Sequence, residues 1–243
     1  MRRTGSLASA SREVLATRER VGLCDVSTLG KIDVQGKDAA ELLNRLYCNT
    51  FSTLDVGKAR YGLMLREDGI VFDDGTTSRL GPDHFLMTTT TANAARVMSH
   101  MEFCHQAHWP DLDVQYVSVT EQWAQMAIAG PKARATLQKI VDKVTLDDTS
   151  FPYLAAKEIS ILGSMNARLF RISFSGEHAY ELAVPADYGN LVARSIMQAG
   201  EEFGITPYGI EALSIMRIEK GHVAGGELNG TTTAGDLGLG RMM

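Results

Sequence analysis

Apolar and polar positions along this chain predict a mixture of strands and helices. Strands are predicted where apolar residues alternate with polar ones or run together, and helices where apolar residues recur every third or fourth position. The predicted strands are residues 31–35, 60–65, 70–78, 84–89, 114–119, 123–129, 158–162, 167–173 and 180–184. Helices are predicted for residues 9–20, from Asp38 through Leu42, Leu43 and Leu46, and for 91–102, 130–141, 187–203 and 210–219.

Two local signals sharpen this pattern. Asp38 and Glu41 have the spacing of a capping box, with Asp38 at the start of a helix. Asp68-Gly69 is a strong tight-turn signal between strands 60–65 and 70–78, which predicts a hairpin. The second arm of this hairpin carries Asp73 and Asp74.

The order of the elements predicts the fold class. Strands and helices are mixed, and two pairs of strands look like hairpins, so we expect an α+β fold with antiparallel sheets and flanking helices rather than a doubly wound parallel sheet. Residues 225–243 are rich in Gly and Thr, and the run Gly235, Gly238, Gly240 has neither a strand before it nor a helix after it. The run from Gly235 to Gly240 is predicted to be flexible, and the end of the chain without a closing element predicts a fragment of a longer protein.

Composition narrows the function classes. The 243 residues carry a formal net charge of −5 and no Lys/Arg cluster, which disfavours nucleic acid as a partner. The 3 Cys are odd in number and far apart, so a reducing compartment and a cytoplasmic location are expected. No run approaches the roughly 18 apolar residues of a membrane helix. Residues 1–20 faintly resemble a transit peptide, but Glu13, Glu19, Val14, Leu15 and Val21 favour a packed helix.

Three groups of polar residues are candidates for chemistry. Adjacent residues on a strand point to opposite faces, so Asp73 and Asp74 are predicted to separate, one towards a core or cleft and the other towards solvent. An acid within an apolar strand costs free energy unless it has a partner, which makes this strand a candidate site. Glu181 is most simply a residue of a solvated strand face. The spacing of Cys104, His105 and His108 matches no standard zinc pattern, so no metal site is predicted.

Six segments, in this order, resemble the aminomethyltransferase (glycine-cleavage T-protein) family. They are residues 22–27, 57–61, 73–74, 128–131, 175–181 and 217–221, and the resemblance covers residues 18–243. Residues 25–35 and 74–79 point to one branch of this family, the folate-binding C-terminal half of the alpha subunit of heterotetrameric sarcosine oxidase.

The resemblance implies a tetrahydrofolate site and assigns its residues. The catalytic Asp of the family is the second of its Asp-Asp pair and falls on Asp74, near the N10 nitrogen of tetrahydrofolate. The cofactor-binding positions fall on Tyr61 of the partner strand, on Thr76 two residues beyond Asp74, on Phe174 in place of a turn Tyr, and on Glu181, which reads the pterin ring.

The resemblance also implies an activity and partners. A flavin in another subunit oxidises sarcosine to an imine, which this domain converts with tetrahydrofolate to 5,10-methylenetetrahydrofolate and glycine. The expected enzyme is a fragment of the alpha subunit of a 5,10-methylenetetrahydrofolate-forming sarcosine oxidase. Its expected partners are the flavin-bearing beta subunit and the other sarcosine oxidase subunits. Flavin and NAD are expected only in missing portions or partner subunits.

The family fold implies two lobes here, residues 1–50 with 140–243 and residues 51–139, with the third, C-terminal domain missing. Two departures from the family pattern are Leu213, where the glycine-cleavage enzymes have a pterin-side Arg, and Phe174, which lacks a hydroxyl. Two alternatives stay open: a folate-binding module without catalysis, and an aminomethyltransferase or dimethylglycine dehydrogenase domain.

Overall fold

The computed structural model describes residues 6–242 and contains twelve strands and six α-helices in that range. The strands are β1 Gly22–Asp25, β2 Gly30–Gln35, β3 Lys58–Leu65, β4 Val71–Gly81, β5 His84–Thr89, β6 Gln115–Ser118, β7 Trp123–Ala129, β8 Val141–Asp142, β9 Ala156–Ile161, β10 Met165–Phe170, β11 Ala179–Pro185 and β12 Thr206–Pro207. The helices are α1 Ser6–Glu19, α2 Ala39–Leu46, α3 Ala94–His108, α4 Ala133–Gln138, α5 Gly189–Gly200 and α6 Ile210–Lys220.

The chain folds into two compact units, each built from two stretches of sequence. The first unit takes the residues up to Ser27 together with Gln122–His222. Its seven strands form one sheet in the order β12-β1-β7-β11-β10-β9-β8, antiparallel except for the parallel pair β1 and β12. Its main core, which includes Val21, Ile128, Leu169 and Tyr180, is apolar.

The second unit takes Thr28–Glu121 together with Val223–Met243. Its five strands form an antiparallel sheet in the order β3-β4-β5-β2-β6. Helices α2 and α3 pack on one face of this sheet, where Leu42, Leu43, Met64, Phe85 and Val97 are fully buried. The predicted α+β class with antiparallel sheets and flanking helices is confirmed.

The predicted lobe boundaries differ from those of the two units. Residues 28–50 lie in the second unit because β2 pairs with β5 and β6. Residues 122–139 lie in the first unit because β7 pairs with β1 and β11. Residues 223–242 lie in the second unit because Thr232 and Thr233 pair with Val71 and Ile70 at the start of β4. Strand pairing over long sequence separations decides these boundaries.

Most predicted elements are confirmed, several with shifted ends. Strands 84–89 and 123–129 match β5 and β7 residue for residue. The helix predicted for 187–203 is α5 with a short 3-10 turn at each end, and it stops at Gly204, which has φ +68°. The predicted capping box at Asp38 does not form, because the Asp38 carboxylate accepts the Asp113 N–H at 2.8 Å.

At the N-terminus, α1 matches the predicted packed helix. Val14 and Val21 are buried, whereas Leu15 is exposed. Residues 1–5, the first part of the stretch 1–20 that faintly resembles a transit peptide, lie outside the described residues. Within residues 6–242, no helix is both long and apolar enough to cross a bilayer.

Candidate functional site

The predicted hairpin exists and brings Tyr61 to Asp74. Strands β3 and β4 pair antiparallel, with Leu63 opposite Asp74 and Tyr61 opposite Thr76. Residues of one strand that lie two apart share a face, so Tyr61, Leu63, Asp74 and Thr76 all point to the same side of the sheet. On that side the Tyr61 hydroxyl donates a hydrogen bond of 2.8 Å to Asp74 Oδ2. The hairpin therefore builds a tyrosine–aspartate pair.

Asp73 points to the opposite face, as predicted, but neither acid faces solvent. Asp73 is 1% exposed, and its carboxylate accepts bonds from the Thr90 N–H, the Thr90 hydroxyl at 2.7 Å and Asn93 Nδ2 at 3.1 Å. The prediction that one acid lies in solvent is wrong because β4 is an interior strand with cover on both faces. Asp73 holds the turn that leads into α3, whereas Asp74 keeps a free oxygen.

Asp74 is a buried carboxylate with an uncommitted atom. Asp74 is 9% exposed, and its Oδ1 has no hydrogen-bond partner among residues 6–242. Burial raises its pKa from 3.8 to about 6; the Tyr61 hydrogen bond opposes this rise, and the charges of Asp73 and Glu227 add to it. A carboxylate with this pKa is mostly ionised at pH 7 yet accepts a proton readily.

Tyr61 is the donor in this pair. Burial, followed by the nearby Asp74 charge, raises the pKa of Tyr61 well above its ordinary value of 10. The phenol therefore keeps its proton at physiological pH and holds Asp74 Oδ2 in place. Because Oδ2 is engaged, Oδ1 is the oxygen that can accept a proton from a ligand.

Thr76 lies on the same face, two residues beyond Asp74. Its hydroxyl and that of Thr88 on β5 lie 2.9 Å apart, and its N–H donates to Thr88 Oγ1 at 3.0 Å. Gly75, between Asp74 and Thr76, has no room for a side chain, since a Cβ there would lie 1.9 Å from the Thr88 carbonyl oxygen. This close strand contact fixes the backbone that carries Asp74.

Glu181 lies in the other unit, on β11. It is 7% exposed, and Gln125 on β7 donates a hydrogen bond to its carboxylate. The simple interpretation of Glu181 as part of a solvated strand face is wrong, because every residue from Ala179 to Val184 of β11 is buried and both faces of the strand are therefore covered. A buried carboxylate held by an amide can accept further hydrogen bonds from N–H donors.

Phe174 and Leu213 also lie in the first unit. Phe174 is 38% exposed, its ring stacks on His222 with centroids 6.1 Å apart, and its carbonyl oxygen accepts the His222 Nδ1–H at 2.9 Å. Leu213 is buried in an apolar cluster with Tyr208 and Met216. The loop position of Phe174 thus offers an aromatic face, and position 213 offers only packing.

Several residues of these sites had no predicted role. Gln125 is a polar residue within an apolar strand, a signal of the same kind as Asp74 that could have marked it. Thr90 and Asn93 partner Asp73 from 17 and 20 residues away, and the charge of Glu227 acts on Asp74 from the Gly- and Thr-rich tail. Only tertiary structure brings those groups to the hairpin. No cluster of three potential metal ligands occurs between residues 6 and 242.

The fold is of the aminomethyltransferase type. A crystal structure of glycine cleavage system aminomethyltransferase T from Bartonella henselae matches 96% of this chain and 60% of its own, with 24% identity and a TM-score of 0.83. A chain of the heterotetrameric sarcosine oxidase from Corynebacterium sp. U-96 matches 86% of this chain and 99% of its own, with 19% identity and a TM-score of 0.58.

The chain belongs to the GCVT N-terminal domain family, whose sequence profile matches residues 3–243. It is 63% identical over 236 residues to the sarcosine oxidase subunit alpha of Rhizobium meliloti, covering 97% of this chain and 24% of that protein. It is 31% identical over 226 residues to the aminomethyltransferase of Chloroherpeton thalassium, covering 93% of this chain and 60% of that protein. The predicted family resemblance is confirmed. The chain spans about a quarter of the length of the sarcosine oxidase alpha subunits it matches.

Proposed function

We propose that this chain is the tetrahydrofolate-dependent one-carbon acceptor domain of a sarcosine oxidase alpha subunit. Membership of the GCVT family and 63% identity to a sarcosine oxidase alpha subunit support the reaction class and the amine donor. A dimethylglycine dehydrogenase from mouse is 31% identical over 239 residues, so dimethylglycine is a weaker candidate donor.

One observation carries the chemical part of the proposal: the buried Asp74 with its uncommitted Oδ1. An acceptor oxygen in a dry site fits a ligand that presents an N–H group there. When bound, tetrahydrofolate supplies two N–H groups, whose nitrogens take up the methylene carbon of the imine and whose protons pass to the nitrogen of the departing glycine. The residues of this chain have to hold and accept those protons.

Asp74 is the proton acceptor in this proposal. Its pKa of about 6 leaves it mostly ionised at pH 7, and the ionised form also stabilises the positive charge that develops on a nitrogen during carbon transfer. Tyr61 is a positioning residue, since its hydroxyl fixes Oδ2 and leaves Oδ1 for the ligand. Thr76 offers a hydroxyl on the same face.

The remaining roles extend the same proposal. Glu181 is assigned to the pterin ring because it is a buried acceptor held by Gln125, and Phe174 offers an aromatic face for stacking. The flavin that generates the imine is assigned to a partner subunit, as expected for the beta subunit of a heterotetramer. These assignments follow from the proposed reaction class.

The yield of one-carbon transfer tests the proposal. In the full complex, Asp74→Ala should leave sarcosine oxidation unchanged and lower the 5,10-methylenetetrahydrofolate formed per sarcosine oxidised. An unchanged yield would remove Asp74 from the mechanism. If the wild-type complex bound tetrahydrofolate but transferred no carbon to it, the chain would be a folate-binding module without catalysis.

A further inference from the structure

The covering segment, residues 223–242, follows α6 and belongs to the unit that carries Asp74. Its run from Gly235 to Gly240 was predicted to be flexible, but the segment makes defined contacts. Asn229 Oδ1 accepts the Thr231 N–H at 3.0 Å, and Asp236 Oδ2 accepts the Thr233 hydroxyl at 2.7 Å. Local side-chain bonds of this kind order a segment that has little regular secondary structure.

Backbone pairing anchors the covering segment to the start of β4. The Val71 N–H donates to the Thr232 carbonyl oxygen at 2.9 Å, and Ile70 and Thr233 form an antiparallel bridge. Next to this bridge, Ala234 is fully buried against Leu63 and Val71. The segment is therefore attached three residues before Asp74.

Apolar side chains of the covering segment extend this contact along the face that carries the tyrosine–aspartate pair. Leu237 and Leu239 pack against the buried cluster of Leu63, Val71 and Ala234, and Tyr61 and Leu65 of β3 pack against the same cluster. Leu63 is 0% exposed and lies directly opposite Asp74 in the strand register. The dry side of Asp74 thus depends on a cluster that the covering segment completes.

We propose that Leu237 and Leu239 are positioning residues for Asp74, which keep water from the face of the hairpin where Tyr61 and Asp74 meet. This inference rests on the proposed function, because it names the residues that keep water from the proposed proton acceptor, Asp74. Without the cover, Asp74 would be hydrated and would bind its proton less tightly.

The ionisable groups that interact with Asp74 are Tyr61 on β3, Asp73 on the opposite face of β4, Tyr47 after α2 and Glu227 in the covering segment, with the thiol of Cys48 beside Tyr61. None of them is removed when the two leucines are shortened, so a change in the proton affinity of Asp74 would report hydration.

The test uses the double variant Leu237→Ala/Leu239→Ala in the full-length subunit within its complex. The yield of one-carbon transfer per sarcosine oxidised is measured as a function of pH. We expect the midpoint at which this yield falls on the acid side to move down by about one pH unit, because hydration lowers the proton affinity of a buried carboxylate. The matched control is Leu112→Ala, a partly buried leucine that packs on the opposite, helix-covered face of the same sheet. It should leave the midpoint unchanged.

A second readout does not need the reaction. Carbon-13 NMR of the Asp74 carboxyl group should show the same downward shift of the titration midpoint in the double variant, or in Leu239→Ala alone if the double variant does not fold. An unchanged NMR midpoint would overturn the inference while leaving the role of Asp74 intact. A shifted NMR midpoint with transfer that does not depend on Asp74 would instead support the cover and contradict the proposed function.

Discussion

Replacing Asp74 by Asn should make the protein relatively more stable as the pH rises. The folded-state pKa of Asp74 is about 6 and its ordinary value is 3.8, so the folded chain holds this proton more tightly than the unfolded chain does. The difference corresponds to about 3 kcal/mol at 1.36 kcal/mol per pKa unit. This stabilisation is fully present below pH 3.8 and is lost as the pH rises through 6.

The Asp74→Asn variant has no such titration. An Asn at this position keeps an oxygen that accepts the Tyr61 hydroxyl and carries no charge to bury. We therefore expect the difference in unfolding free energy, variant minus wild type, to increase by about 2 kcal/mol between pH 4 and pH 7.5. Comparing the two pH values cancels any constant cost of the buried amide group.

Urea denaturation at a series of pH values measures this difference. Asp147→Asn is the control, because backbone and hydroxyl hydrogen bonds from Ser150 lower the pKa of Asp147 below its ordinary value of 3.8. This carboxyl group titrates below about pH 4 in the folded and the unfolded chain, so the control difference should be nearly flat between pH 4 and pH 7.5. A difference for Asp74→Asn that is flat over this range, or that falls, would refute the burial argument for Asp74.

Two further substitutions test the hairpin. Tyr61→Phe removes the hydrogen bond that lowers the pKa of Asp74. In a profile of one-carbon yield against pH, the midpoint of the fall on the acid side should therefore move up by about one pH unit. Gly75→Ala places a Cβ against the Thr88 carbonyl oxygen and should cost about 3 kcal/mol in chemical denaturation. Gly226→Ala, with open space around it, should be near neutral, and equal effects at both glycines would contradict the contact.

Local sequence signals predicted much of the second unit. Asp68-Gly69 placed the β3–β4 hairpin, and strand alternation assigned Asp73 and Asp74 to opposite faces. The signals were sufficient because a tight turn and a period of two residues depend only on neighbours in sequence. They could not show that both faces are covered, because the Thr90 and Asn93 contacts and residues 223–242 come from distant sequence.

The same limit explains the other differences. Glu181 looked like a solvated residue because the alternation of polar and apolar residues does not show whether another element packs on the polar face of a strand. The strands that pair with the two edges of β2 lie 49 to 59 and 80 to 86 positions further along the chain, and this pairing places the unit boundaries away from those predicted. The run from Gly235 to Gly240 was predicted to be flexible, but Gly238 and Leu239 donate backbone hydrogen bonds to Gly235 and Ala234.

The pH dependence of carbon transfer tests the central claim most directly. The measurement is the ratio of 5,10-methylenetetrahydrofolate formed to sarcosine oxidised in the full complex between pH 5 and pH 8, which removes the pH dependence of the oxidation itself. If Asp74 accepts the proton, the wild-type ratio should fall as the pH drops, with a midpoint near 6, and Asp74→Asn should give a low ratio at every pH. A wild-type ratio that is flat over this range, or an Asp74→Asn ratio that matches wild type, would contradict it.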